Sequence, residues 1–285
     1  MASVHPDGSR ISPESLKQAD SNPYTWRDRL YSLYLFYRVA RAVPKNSDKQ
    51  VVFLDWKACQ EANRIISTKM SCEDLNRRPK RDGAVRICAV SDTHERHELL
   101  TIPQCDVLVH TGDILFCGRK QSTALQLRKL KDFDRWLAKT PSRHRLVVGG
   151  NHDLIMQDID LDEKHEKAVF SVSNAVLLHN KNVLIEGLRF GGTPYSEGIS
   201  RNRAFQNTDV KDKALLSLRD SNVDVFLSHS DDLPPKTMNI RPRLWLWGHH
   251  HNRWGAVMDE GVVSLCSSIM DHSYCPSNPP IVVEL

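Results

Sequence analysis

Seven residues of this chain could hold metal ions by type and spacing: Asp92, His94, Asp113, Asn151, His229, His249 and His251. Carboxylate, imidazole and amide oxygen form a mixed N/O donor set suited to zinc, manganese or iron, and no cysteine is among them. Seven ligands are too many for one tetrahedral ion. They suffice for two ions, provided one carboxylate bridges. Two ions about 3.5–4 Å apart can hold a hydroxide and clamp a phosphoryl group during in-line displacement. Asp92-x-His94 and His249-x-His251 put alternate residues on one side of an extended segment, a spacing that suits a strand end or loop.

Those residues need elements to bring them together. Short apolar runs recur at 85–90, 107–109, 146–148, 183–185, 223–227, 244–247, 262–265 and 281–283. A helical pattern at Ala124–Leu137, with Leu127, Leu130 and Phe133 on one face, lies among the early ones. Strands alternating with helices predict a layered α/β fold. Five runs lead directly into polar residues: Ser91-Asp92-Thr93-His94, His110-Thr111-Gly112-Asp113, Gly150-Asn151-His152-Asp153, Ser228-His229-Ser230 and Gly248-His249-His250-His251. Open α/β sheets bind ligands at the carboxyl ends of their strands. Taken singly, Asp92 or Asp113 reads as a helix cap and Asn151 as a turn residue. Five such endings in one chain read as a site.

The composition sets the limits. The chain has 285 residues, 40% apolar and 26% charged, with a net charge of +4. That excludes disorder throughout, a collagen-like fibre and a coiled coil, and it carries no strong nucleic-acid signature. The seven cysteines form no C-x-x-C pair. Residues 1–18 lack the apolar core of a secretory signal, and the stretch Leu30–Val43 is too interrupted for a transmembrane segment. A cytoplasmic protein is the expectation. Residues 1–22 read as a flexible tail, 23–83 as a helical extension and linker, and 84–285 as the domain that carries the motifs. In the extension, Trp26, Leu30, Leu33, Tyr34 and Tyr37 make one apolar face, a second helix is predicted over Asp55–Met70, and Asn76–Gly83 reads as the linker.

Asp92-x-His94, Gly112-Asp113, Gly150-Asn151-His152-Asp153, His229 and Gly248-His249-x-His251 resemble, in order, the motif set of the calcineurin-like metallophosphoesterases. The stretches SDTH, DVLVHTGD, GNHD and the ending SNPPIVVEL are similar to its MPPED-type subgroup. The resemblance implies a layered β-sandwich flanked by helices over residues 84–285 and two divalent ions, manganese, iron or zinc. Asp92, His94 and His251 would hold the first ion, Asn151, His229 and His249 the second, and Asp113 would bridge them. A metal-bridging hydroxide would attack phosphorus. His152 would serve the leaving oxygen, with Asp153 orienting its ring. The subgroup implies a phosphodiesterase acting on a small phosphate ester. A phosphoprotein or phosphomonoester phosphatase is the alternative, although Arg119 and Arg143 do not occupy the positions where protein phosphatases place their arginines. A non-catalytic binding or scaffold protein on the same fold is the other, and would be marked by lost ligands. Two departures stand out: the x of Gly-His-x-His is itself His250, and Ser230-Asp231-Asp232 follows His229 where relatives often have Gly-Pro. Around the site, His250 is expected to face away, and the rim to be built from Gly192–Tyr195, Arg201–Phe205 and Asp231–Lys236.

Overall fold

Residues of the apolar runs alternate between two cores, which is why they fold as strands. Ile87 and Ala89 pack into one buried cluster while Cys88 and Val90 pack into another, the two-residue period of a sheet covered on both faces. The structure, a computed structural model, describes residues 49–116, 121–160, 172–196, 202, 204–206 and 215–285.

Its strands are β1 (Gln50–Asp55), β2 (Ser67–Ser71), β3 (Arg86–Val90), β4 (Cys105–His110), β5 (Ser142–Val147), β6 (Val176–Leu177) and β7 (Lys181–Ile185). They continue as β8 (Leu188–Thr193), β9 (Val225–Ser228), β10 (Leu244–Trp247), β11 (Gly255–Asp259), β12 (Val262–Cys266) and β13 (Ile281–Glu284). The α-helices are α1 (Trp56–Ala62), α2 (Cys72–Arg77), α3 (Thr123–Lys139) and α4 (Leu154–Asp160). One sheet has the order β2-β1-β13-β3-β4-β5-β6 and the other β11-β12-β10-β9-β8-β7. In the first, β3 to β6 run parallel; in the second, β8, β9, β10 and β12 do. The eight predicted strands are all present, and the fold is the expected two-sheet α/β sandwich.

Ile87, Val107, Leu146, Phe190, Val225, Leu246 and Ile281 share the cluster between the sheets. On the outer face of the first sheet, α3 buries Leu130, Phe133, Trp136 and Leu137, spaced three and four apart as an amphipathic helix requires. Ser122 caps that helix by accepting a hydrogen bond from the Leu125 N–H at 3.3 Å.

Residues 50–77 differ from the predicted helix and linker. The helix expected over Asp55–Met70 spans only Trp56–Ala62, capped by the Asp55 carboxylate and stopped at Asn63, whose φ is 49°. The chain then turns back as β2, and β1 pairs parallel with β13, Val52 opposite Ile281 and Leu54 opposite Val283. This segment therefore widens the sheet rather than lying on it. The chain divides into two units, Met1–Ala42 and Val43–Leu285. The first lies outside the described residues, and with it the predicted tail and the apolar face from Trp26 to Tyr37. No described helix is long and apolar enough to cross a membrane.

Candidate metal centre

The five predicted strand ends meet at one edge of the sandwich. β3, β4 and β5 deliver Asp92, Asp113 and Asn151 from one sheet; β9 and β10 deliver His229 and His249 from the other. The loops are laced together by their backbones: Asp92 N–H donates to the Gly112 carbonyl at 2.9 Å, His94 N–H to that of Asp113 at 3.0 Å, and Gly248 N–H to that of His229 at 2.9 Å. Four of the seven residues sit in left-handed backbone: Asp92 (φ 53°), His94 (41°), Asp113 (57°) and His249 (67°). Such conformations cost of order 1–3 kcal/mol each and cluster where geometry serves a site. The motif glycines have an equally local cause. A methyl group on Gly150 would collide with the Asp113 carboxylate, and one on Gly248 with Ser91 Oγ and Asp92 Oδ2.

All seven predicted ligands are brought together, in two sets. In the first, His94 Nε2 lies 3.3 Å from His251 Nε2, which lies 3.5 Å from Asp92 Oδ1. In the second, His229 Nε2 and His249 Nδ1 each lie 2.9 Å from the single oxygen Asn151 Oδ1. Asp113 stands between them: its Oδ1 is 3.3 Å from His229 Nε2 and its Oδ2 is 3.8 Å from His94 Nε2. Asp92, His94 and His251 can hold an ion together, and so can Asp113, His229 and His249. The far nitrogens fix which atoms face the centre. His94 Nδ1 pairs with the Leu115 carbonyl at 3.0 Å and His229 Nδ1 with that of Thr111 at 2.9 Å. Each ring therefore carries its proton on Nδ1 and turns the Nε2 lone pair inward, the arrangement that orients metal-binding histidines.

The electrostatics fit cations. Burial pushes the Asp92 and Asp113 carboxyls up, but neighbouring imidazoles, His251 for Asp92 and His229 with His152 and His94 for Asp113, hold both below the usual carboxylate range. Two buried carboxylates thus stay ionised. Burial also drives His94 down to about 3 and His249 to about 4, leaving neutral imidazoles. His229 goes the other way: burial lowers it, yet Asp113 and Asp92 raise it to about 9. The ionised oxygens and the neutral His94 and His249 rings are donors that zinc, manganese or iron takes, and His229 would release its Nε2 proton to an ion bound there.

His152 opens onto the same cavity, which measures about 300 Å³. Its Nδ1 pairs with the Phe116 carbonyl. That carbonyl, and not Asp153, orients the ring. The Asp153 carboxylate is instead taken up by the backbone N–H groups of Ile114, Leu115 and Gly150 at 3.2, 2.9 and 2.9 Å, which ties the β4 and β5 loops together. Burial and the nearby Asp113 raise Asp153 to about 7 despite those bonds. His110 is a supporting residue as well. Its Nε2 is 3.0 Å from Thr93 Oγ1, and its Nδ1 accepts the Gly112 N–H at 3.3 Å. His250 does not face away. It lines the cavity and pairs with Asp231 at 2.9 Å, so the two departures from the motif pattern meet each other across the rim.

Two residues at the site carry no motif of their own. Asn202 Nδ2 lies 3.0 Å from His152 Nε2, and the Asn202 carbonyl accepts from Asn151 Nδ2 at 3.2 Å; its only signal in the sequence is membership of the expected rim segment Arg201–Phe205. Tyr274 packs on His94 and His251, with ring centroids 5.1 and 4.6 Å away, and nothing in its sequence neighbourhood marks it. Arg119 and Arg201 lie outside the described residues.

Comparison with known proteins agrees with this geometry. The chain is 29% identical over 252 residues to human metallophosphoesterase domain-containing protein 1, covering 73% of each chain. It is 24% identical over 238 residues to the Caenorhabditis elegans UPF0046 protein C25E10.12, covering 72% of this chain and 82% of that one. The sequence profile of the calcineurin-like phosphoesterases matches residues 85–253, more than half of the chain and the span that holds all seven ligand candidates. The chain belongs to the calcineurin-like phosphoesterase family.

Proposed function

We propose that this protein is a dinuclear metal-dependent phosphodiesterase that hydrolyses a small phosphate ester in the cytoplasm, residues 84–285 being its catalytic part. One observation carries the reading. The two oxygens of the Asp113 carboxylate face different ligand sets, Oδ1 toward His229 and Oδ2 toward His94, as a bridge between two ions must. Asp92, His94 and His251 would hold one ion, and Asn151, His229 and His249 the other, with manganese, iron or zinc as candidates. Ions held there would supply Lewis acidity for the phosphoryl group and lower the pKa of water.

The chain's own residues would do the rest. His152 is held by Nδ1 on the Phe116 carbonyl, so Nε2 is the nitrogen that would pass a proton to the leaving oxygen. Asn202, bonded to both His152 and Asn151, would keep that nitrogen in register with the second ligand set. Asp153 would position the two loops without touching the proton.

The preference for a diester rests on the resemblance to the MPPED-type subgroup. The complete ligand set weighs against a scaffold role. The test is turnover of bis(p-nitrophenyl) phosphate and of p-nitrophenyl phosphate by manganese-loaded protein. Diester turnover that exceeds monoester turnover, and that a chelator abolishes, is the expected result. Full activity after verified metal removal would overturn it.

A further inference from the structure

Among the described residues, the cavity wall is made almost entirely of groups suited to ions or phosphate, with one exception. Tyr274 contributes a large carbon surface beside Asp113, Asn151, His152 and His249. Its ring is braced from several sides. Phe116, itself buried, lies 5.6 Å away at 85°, His251 4.6 Å away at 80°, and His94 5.1 Å away at 53°. Its backbone is unusual too, with φ at 56°, a conformation that a bulky aromatic residue adopts only when its surroundings enforce it.

The enforcing residue is Asp271. The Asp271 carbonyl accepts the Tyr274 N–H at 2.8 Å, and the Asp271 N–H donates to the Cys275 carbonyl at 2.8 Å. One carboxylate oxygen accepts from Ser273 N at 2.8 Å and Cys275 N at 3.1 Å, and the other from Ser277 Oγ at 2.8 Å. A tight turn after β12 is thus built around a single carboxylate, and it sets one half-buried aromatic ring on the cavity wall. This turn follows the span 85–253 that the family profile matches.

We infer that Tyr274 is a specificity-determining residue, a rigid stacking wall for a planar aromatic group on the alcohol that the diester keeps. The inference rests on the diesterase reading above. A ring held by three neighbours loses little freedom when a second ring stacks on it, and aromatic stacking is tolerant of which base or aryl group is offered. The substrate class is therefore a phosphodiester with a nucleoside or other aryl-bearing alcohol, rather than a purely aliphatic one.

The test uses three esters with the same p-nitrophenolate leaving group: methyl, benzyl and thymidine-5′ p-nitrophenyl phosphate, with the full manganese-loaded chain. The readout is the ratio of kcat/KM for each aromatic ester to that for the methyl ester, in which general damage to the metal site cancels. Wild type should prefer one or both aromatic esters by roughly 5- to 150-fold, the range one stacked ring contributes. Preference for both points to any planar group; preference for thymidine alone points to a base. Tyr274→Phe should keep the ratio, and Tyr274→Leu should bring it near one. A wild-type ratio near one, or a ratio that Tyr274→Leu leaves intact, overturns the inference. Absence of turnover for all three esters, with metal bound, overturns the diesterase reading first and this inference with it.

Discussion

The same parallel strands bury charge at both ends, and the two ends handle it in opposite ways. At the amino ends of β3 and β4, Arg86 is 6% exposed and Glu284 2%. They face each other across β3 and β13, with Arg86 Nη2 and Nε at 2.7 and 3.1 Å from Glu284 Oε1. Asp106 beside them accepts from Lys80 Nζ at 2.6 Å and from Arg86 N at 2.8 Å. Every carboxylate there meets a cation of the protein. At the carboxyl ends the groups converge instead: imidazole nitrogen lies against imidazole nitrogen at 3.3 Å, and two ring nitrogens meet at one amide oxygen. Buried charges that cancel within the chain hold a fold together. Buried donors that converge on a shared point need something from outside to complete them.

The largest expected effect lies at the carboxyl end. His152→Ala should keep the bound metal and slow the chemical step by roughly 10²–10⁴-fold, the usual contribution of general acid catalysis. The loss should shrink for esters whose leaving group needs no proton. Equal losses for good and poor leaving groups, measured in single-turnover experiments, would remove His152 from that role and blur the contrast between the ends.

The amino end should respond in stability rather than chemistry. Arg86→Met leaves the Glu284 carboxylate buried without its partner and should destabilise the protein by about 3–5 kcal/mol in urea denaturation. Adding Glu284→Leu should restore much of that, because a well-packed apolar pair replaces a buried ion pair at little net cost. Metal content should be unchanged in both. A single variant as stable as the parent would show that the pair is not closed on itself.

The smallest effect is set by pH. Burial raises the Asp106 carboxyl, but Lys80, the Arg86 N–H and Arg143 more than offset this and hold it below its ordinary value. A depressed folded pKa adds stability that is fully present above the unfolded value, about 3.9, and lost as pH falls through the folded one. Asp106→Asn should therefore narrow the difference in Tm between pH 7 and pH 3. An unaltered difference would mean that Asp106 titrates alike in the folded and unfolded chains.

Most of the carboxyl end is legible in the sequence because its signal is local. Each ligand lies just after a short apolar run, and Gly112, Gly150 and Gly248 mark the close approaches. The left-handed backbone of Asp92, His94, Asp113 and His249 is not legible, since it is imposed by loops bonded to one another across the site. Nor is the role of Asp153, where the neighbouring histidine suggests a side-chain partner and the fold supplies backbone N–H groups instead. The amino end departs from its sequence pattern for a different reason. Trp56, Cys59 and Ala62 keep helical spacing, but only pairing of β1 with β13, more than two hundred residues later, decides that the flanking segments are strands. Tyr274 leaves no trace because its importance comes from a turn organised by Asp271, not from any spacing to a ligand.

The central claim is that the carboxyl end is completed by two ions sharing Asp113. Elemental analysis of the full chain after manganese loading and exhaustive dialysis tests it most directly. The account predicts two ions per chain in the parent and in Arg86→Met, and a marked loss of both in Asp113→Asn that keeps its circular dichroism spectrum. Two ions retained in Asp113→Asn, or none bound by the parent, would contradict it.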